Sequence, residues 1–214
     1  MIDGGGSEFG NYNVGENTLL PYLLDRGIKK IDYIIVSHFD TDHVQGLLWV
    51  MQNLKVDAVV ISKQIESSDN YDEFVSIVKE KNIAVNKVKL GDKINIERNL
   101  YFDVLWPDNN NLITENAMNN NAIVCKLIYK NFSLLFTGDI EEVAESQILD
   151  YYKINLKRLK SNVLKVAHHG SKSSTTQKFL SAVNPKIALI GVGANNLYGH
   201  PANEVIERLN KIRC

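Results

Sequence analysis

The chain has 214 residues, 44% of them hydrophobic and 23% charged, a balance that supports one α/β domain with a packed core and excludes disorder, collagen-like structure and a coiled coil. Its 24 Lys and Arg against 25 Asp and Glu leave a net charge of −1. That excludes a strongly basic protein that holds any polyphosphate, although a local basic patch stays open.

In chain order, residues 18–26 predict a helix that Gly27 stops, with Pro21 tolerated in its first turn. Residues 33–37 form a short apolar run, the mark of a strand covered on both faces. Polar residues 38–43 follow, then a helix over 44–54, a strand over 58–61 and a helix over 71–81 opened by Ser68, Asp69 or Asn70. The middle reads as strands at 84–90, 93–96 and 101–106, broken at Gly91-Asp92 and Arg98-Asn99. Strands at 122–129 and 132–137 flank Lys130-Asn131 as a tight hairpin. A helix over 141–151, a strand over 163–167, a helix over 176–183, a strand over 186–190 and a helix over 202–211 complete the order. Two sheets with helices packed outside, an α/β four-layer αββα sandwich, satisfy this pattern. A doubly wound sheet competes, but the adjacent hairpins of the middle argue against it.

No repeat or linker-like break interrupts the sequence, so residues 1–214 predict a single domain. Met1 sits at a strand-turn boundary and Cys214 directly after the last helix, which points to a domain excised or truncated from a longer protein. Cys125 and Cys214 are too few for a disulfide framework and give no zinc ribbon. No apolar run approaches the ~18 residues of a membrane span, and the N-terminus lacks the basic start and apolar stretch of a signal peptide. A soluble domain is expected.

The five histidines, His38, His43, His168, His169 and His200, all fall after a predicted strand or in a strand-to-helix loop. Within Ser37-His38-Phe39-Asp40-Thr41-Asp42-His43, the six positions 38–43 hold four potential metal ligands. Crowded carboxylates repel, and a divalent cation removes that penalty; the bland alternative is a solvated acidic turn. Phe136-Thr137-Gly138-Asp139 is a strand end that on its own is an ordinary turn. Val166-Ala167-His168-His169-Gly170-Ser171 is more specific, since a lone His is usually a hydrogen-bonded core group. Tyr198-Gly199-His200-Pro201 reads equally well as loop lining or catalytic group. Their convergence on strand ends carries the signal.

His38-x-Asp40-x-Asp42-His43, Asp139 and His168, with the opening Asp3-Gly4-Gly5, resemble the metal motifs of the metallo-β-lactamase superfamily. With His168-His169-Gly170-Ser171 and Tyr198-Gly199-His200-Pro201, the chain is most similar to the metallo-β-lactamase-like domain of ComEC-type competence (DNA-uptake) proteins. The resemblance implies the αββα fold and a structural role for Asp3 in bracing the metal loop. Two departures stand out. Asp40 replaces the second His of most members, as in the ComEC-type branch, and 119–121 read Asn-Asn-Asn where many members carry a further His. A Gln at 45, where a second Gly is common, reads as minor.

The resemblance implies one or two divalent ions, Zn or Mn, held by His38, Asp40, Asp42, His43, Asp139 and His168. Metal-activated hydroxide then attacks a phosphodiester, with Asp42, His169 and His200 as catalytic groups. Gly170, Ser171, Lys172 and Asn121 are the expected phosphate and substrate contacts. The implied activity is a metal-dependent nuclease acting on DNA, single-stranded in uptake. A ComEC-type protein adds a membrane channel and sets the domain on the extracytoplasmic face; otherwise a cytoplasmic location follows. Lys157-Arg158-Leu159-Lys160, Lys165, Lys172 and Lys178 could track a nucleic-acid backbone, or simply form a solvated helix end. Among aromatics, Tyr12, Phe39, Trp49, Trp106 and Tyr198 could stack bases, most of them reading better as core. The alternatives are a hydrolase of a small ester, lactone or phosphorylcholine-type substrate, and an inactive nucleic-acid-binding module.

Overall fold

The computed structural model describes residues 1–7, 11–193, 196–212 and 214. It divides into two compact units, Met1–Val88 and Lys89–Cys214.

The first unit is a parallel three-stranded sheet in the order β1 (Lys30–Ile35), β2 (Lys55–Ile61), β3 (Ala84–Lys87), with helices α1 (Leu20–Asp25), α2 (Thr41–Asn53) and α3 (Asp69–Lys81). Ile34 and Val59 pair in register at its centre and are fully buried, as an apolar run in a parallel sheet requires. The amphipathic α2 contributes Val44, Leu47, Val50 and Met51 to the core. The Ser68 hydroxyl caps α3 by accepting from the Tyr71 amide at 3.2 Å, and Asn82 ends the helix in the left-handed region. The chain start is locked in: Ile2 bridges to Ile35, the Gly4 amide donates to His43 O at 2.8 Å, and the Gly46 amide donates to Gly5 O at 2.9 Å. Gln45, read from sequence as minor, braces the same segment, its Oε1 accepting from the Ser7 and Val14 amides.

The second unit is a mixed six-stranded sheet running β4 (Lys93–Glu97), β5 (Leu100–Trp106), β6 (Val124–Tyr129), β7 (Phe132–Phe136), β8 (Val163–Lys165), β9 (Ile187–Leu189). Strands β4 to β7 are antiparallel neighbours, while β8 and β9 join in parallel. The hairpin at Lys130-Asn131 forms as expected, with Lys130 at φ 53°. Helices α4 (Ala117–Asn120), α5 (Glu142–Tyr151), α6 (Gln177–Val183) and α7 (Asn203–Lys211) belong to this unit. Leu105, Leu135, Ile148, Leu164, Phe179 and Val205 form its core. Trp106, weighed as a base-stacking residue, is buried there and donates through Nε1 to Asn120 O at 2.7 Å. In the first unit Phe39 is likewise core.

Glu145 on α5 is fully buried, and its carboxylate accepts from the Thr175 and Thr176 amides at 2.5 and 2.8 Å. Burial pushes its pKa up to about 6 from 4.5; the Thr176 and Thr175 bonds and the Arg208 charge only partly offset it. Folded protein thus holds a proton that unfolded chain has released between about pH 4.5 and 6. The stabilisation is complete below about 4.5 and is lost as pH rises through about 6.

Two expectations follow. Across that window wild type loses about 2 kcal/mol that Glu145→Gln does not lose, measured as the difference in urea-unfolding free energy against pH. Gly46 touches the Gly4 backbone so closely that a Cβ would lie 2.2 Å from Gly4 O. Gly46→Ala lowers the unfolding free energy by about 1–3 kcal/mol in the same assay, because neither backbone can give way cheaply.

Candidate metal centre

In the first unit the chain leaves β1, passes Val36 and enters Ser37-His38-Phe39-Asp40 as an extended loop before α2. The helix begins at Thr41, three residues earlier than the sequence predicts, so His43 lies in its first turn rather than in a loop. His43 N donates to Asp40 O at 3.0 Å, which closes that turn. Asp42 also sits in the first turn, where the helix dipole favours a carboxylate.

Asp3 organises this loop. Its Oδ1 accepts from the Ser37 amide at 2.8 Å, and its Oδ2 accepts from Ser37 Oγ at 2.8 Å and from His43 Nδ1 at 2.9 Å. Burial alone would raise the Asp3 pKa. The His43 hydrogen bond, the charges of His43 and His38 and the Ser37 amide outweigh it and hold the group below its ordinary value.

The tautomers follow from proton counting. His43 gives the Nδ1 proton to Asp3, so Nε2 is its ligating nitrogen. The single Ser37 hydroxyl proton goes to Asp3, so the oxygen, 2.9 Å from His38 Nδ1, accepts from that ring. His38 Nε2 is then a lone pair as well. It is buried without a hydrogen-bond partner, 3.6 Å from Asp40 Oδ2, and the His38 and His43 rings are 4.1 Å apart. Asp40 itself is 43% exposed.

In the second unit β7 delivers Thr137, whose hydroxyl donates to Lys165 O at 2.7 Å, then Gly138 at φ 52° and the buried Asp139. Strand β8 ends at Lys165, and residues 167–170 turn sharply, His168 and His169 both left-handed at φ 48° and 52°. Two non-glycine residues in this region store strain, which recurs at functional sites. The turn is clamped by the His168 amide on Gly138 O at 3.2 Å and by the Ala202 amide on Gly170 O at 2.9 Å.

His169 Nδ1 lies 2.6 Å from Gly191 O; a carbonyl only accepts, so Nδ1 carries the proton. His169 Nε2 stands 3.3 Å from Asp139 Oδ2. A lone-pair nitrogen and a carboxylate oxygen that close call for a cation or a proton. His168 points its Nδ1 toward Glu141 Oε1 at 3.5 Å, and its ring lies 6.0 Å from that of His200. Burial, then the charges of His168 and His169, lower the His200 pKa against the pull of Asp139.

The remaining expected contacts fall into bracing positions. Asn121 donates to Ile113 O and Ala117 O and accepts from the Ile113 amide, closing the 113–121 loop. The Ser171 hydroxyl lies 3.0 Å from that of Ser173, which donates to Glu141 Oε1 at 3.0 Å. The Lys172 carbonyl accepts from Arg208, and a Cβ at Gly170 would meet Pro201 at 2.7 Å. Of the basic stretch, Arg158 is spent on the buried Asp103 at 2.6 Å, and Lys126 Nζ donates to Arg158 O. Sequence reasoning missed Glu141, which also accepts from Asn116 and Asn120; one Glu beside another at a helix start gave no signal.

Each unit carries donors that suit a divalent cation: Asp42 and His43 in the first, Asp139 and His169 in the second. The buried His38 Nε2, which has no hydrogen bond, costs about 1–3 kcal/mol that a bound cation would offset. Mixed imidazole and carboxylate donors suit zinc and manganese. Ser37→Ala removes the acceptor that fixes the His38 tautomer; isothermal titration with Mn²⁺ or Zn²⁺ is expected to show affinity falling about 10–100-fold, with Ser37→Thr restoring it.

The profile of the Metallo-beta-lactamase superfamily matches residues 1–193. ComE operon protein 3 of Bacillus subtilis (strain 168) is 33% identical over 200 residues, 94% of this chain and 25% of that protein. Competence protein ComA of Neisseria gonorrhoeae is 26% identical over 200 residues, 94% of this chain and 26% of that protein. The chain thus spans about a quarter of the length of these curated relatives. Among solved structures, CmlA, a diiron beta-hydroxylase from Streptomyces venezuelae, aligns with a TM-score of 0.57 at 11% identity, over 86% of this chain and 41% of that one, a likeness of fold alone. The expected α/β fold and the likeness to competence proteins are borne out, and the chain belongs to the metallo-beta-lactamase superfamily.

Proposed function

We propose that the chain is a metal-dependent phosphodiesterase acting on DNA in competence. The observation that carries this is the paired preparation of imidazoles: Asp3 and Ser37 turn the lone pairs of His43 and His38 outward, and Gly191 O does the same for His169 beside Asp139. The proposed ligands of one or two divalent ions, Zn or Mn, are His38, Asp40, Asp42, His43 and Asp139 with His169. His169 replaces His168 in the ligand set because it is the ring that meets Asp139.

A divalent cation there supplies Lewis acidity and lowers the pKa of water from about 16 towards about 7, so that hydroxide is available at neutral pH. With two divalent ions bound, the carboxylates of Asp40, Asp42 and Asp139 balance three of the four positive charges and leave a net attraction for a phosphodiester anion. His168 and His200 remain to hold a proton for the leaving oxygen or to donate to a phosphate oxygen. Glu141 lies behind His168, on the Nδ1 side, which leaves Nε2 of that ring for the substrate. The strained 168–170 turn holds the backbone of His168 and His169 before substrate arrives, which spares reorganisation during the reaction.

DNA as substrate is supported by the names of the relatives, one of which is a competence protein. No helix among the described residues is long and apolar enough to cross a membrane. In a longer protein of the ComEC type the membrane channel lies in other parts of the polypeptide, and this region faces the extracytoplasmic side.

The test is cleavage of a single-stranded DNA oligomer and of bis-p-nitrophenyl phosphate with Mn²⁺ or Zn²⁺. Activity is expected to stop in EDTA and to return with added ion. Asp139→Asn and Asp42→Ala are expected to lower it at least ~100-fold while circular dichroism shows the fold retained. Turnover of a lactone or a small carboxylic ester with neither phosphodiester cleaved would refute the proposal.

A further inference from the structure

The segment between β9 and α7 carries two large side chains into solvent, Leu197 at 78% and Tyr198 at 62% exposure. Exposed apolar groups are common and on their own mean little. What distinguishes Tyr198 is its setting. Its ring lies nearly parallel to the His200 imidazole, with centroids 5.8 Å apart and planes 23° apart, and His200 in turn stands 6.0 Å from His168. The backbone around it is tied down: Asn196 Nδ2 donates to His200 O at 2.7 Å, the His200 amide donates to Asn196 Oδ1 at 2.9 Å, and the Asn196 amide donates to Gly193 O at 3.2 Å. A four-residue step closed by one amide side chain thus fixes the backbone that carries Tyr198, and the ring itself leans on the His200 imidazole. Gly199, at φ 70°, allows the chain to turn back within that step.

We propose that Tyr198 is a stacking platform for an unpaired nucleobase adjoining the phosphate that His168 and His200 contact. The inference rests on the phosphodiester reading above and deepens it by naming the residue that would hold an unpaired base of that substrate. A tyrosine face stacks on any base, because every base has a π surface, and a base inside a duplex is already stacked on its neighbours and cannot reach it. The tied backbone and the His200 contact reduce the conformational freedom that the ring loses when the base arrives. Tyr198 thereby selects for strands with accessible bases, while the histidines act on a phosphate that every nucleotide shares.

The test compares binding of a dT oligomer with that of an abasic oligomer of equal length, both phosphorothioate-linked to slow cleavage, in Mn²⁺, by fluorescence anisotropy. The proteins are wild type, Tyr198→Phe, Tyr198→Leu and Tyr198→Ala, with thermal unfolding checked for each. Wild type and Tyr198→Phe are expected to hold the dT oligomer about tenfold tighter than the abasic one. Tyr198→Leu and Tyr198→Ala are expected to bind both alike. An rU oligomer run in parallel shows whether the platform serves DNA alone or RNA as well. A dT preference that survives in Tyr198→Ala, or that wild type lacks, overturns the inference and leaves the exposed ring as a contact for another part of a longer polypeptide. A Tyr198-dependent preference in a protein that cleaves no phosphodiester keeps the inference and sinks the hydrolase reading instead.

Discussion

One carboxylate at the chain start sets the direction of two imidazoles. Asp3 has lone pairs enough for the Ser37 amide, the Ser37 hydroxyl and the His43 ring, and it receives all three within 2.8 to 2.9 Å. Because a hydroxyl has one proton, giving it to Asp3 forces Ser37 to accept from His38. The same acid therefore dictates the tautomer of both rings, one directly and one through serine. Its place is secured by backbone: the Asp3 amide donates to Ile35 O, and Gly4 and Gly46 approach too closely for any side chain between them. The glycines of the opening turn thus act on chemistry forty residues away.

The second unit reaches a similar end by different means. There the backbone, rather than a buried acid, does the orienting. Gly191 O fixes the tautomer of His169, and the left-handed conformations of His168 and His169 turn two consecutive rings out of one short bend. Such a bend is costly on its own and persists because neighbours over-determine it. Gly138 O, Gly170 O, the Thr175 hydroxyl and the buried Glu145 all hold the segment from 167 to 176. Glu145 serves by accepting two amides at the start of α6, and its raised proton affinity is the consequence of burial at that post.

Much of this was legible in the sequence, and the reasons are local. Strand ends are read from apolar runs, so the clustering of all histidines after such runs was visible without coordinates. The hairpin at Lys130-Asn131 and the cap at Ser68, one of three adjacent candidates in the sequence, rest on short-range rules that tertiary structure did not override. Other features depend on partners far along the chain and left no trace in spacing. The apolar period starts at Val44 and predicts a loop at His43, yet the turn closes earlier on Asp40 O. Gln45 departs from the glycine common there, and its role, holding the Ser7 and Val14 amides, depends on residues more than thirty positions away. Which of two adjacent histidines meets Asp139 follows from φ values that no residue pattern specifies. The split between Val88 and Lys89 reflects two separately hydrogen-bonded sheets, and no shift in composition marks it.

The oriented lone pairs of these rings require a metal to receive them. Anomalous diffraction at the manganese or zinc edge, from crystals grown with that ion, tests it most directly. The account predicts a strong peak about 2.0–2.2 Å from His43 Nε2, with Nδ1 of that ring still on Asp3. A crystal soaked to saturation with no peak there, or with the ring flipped to place Nε2 on Asp3, would contradict it.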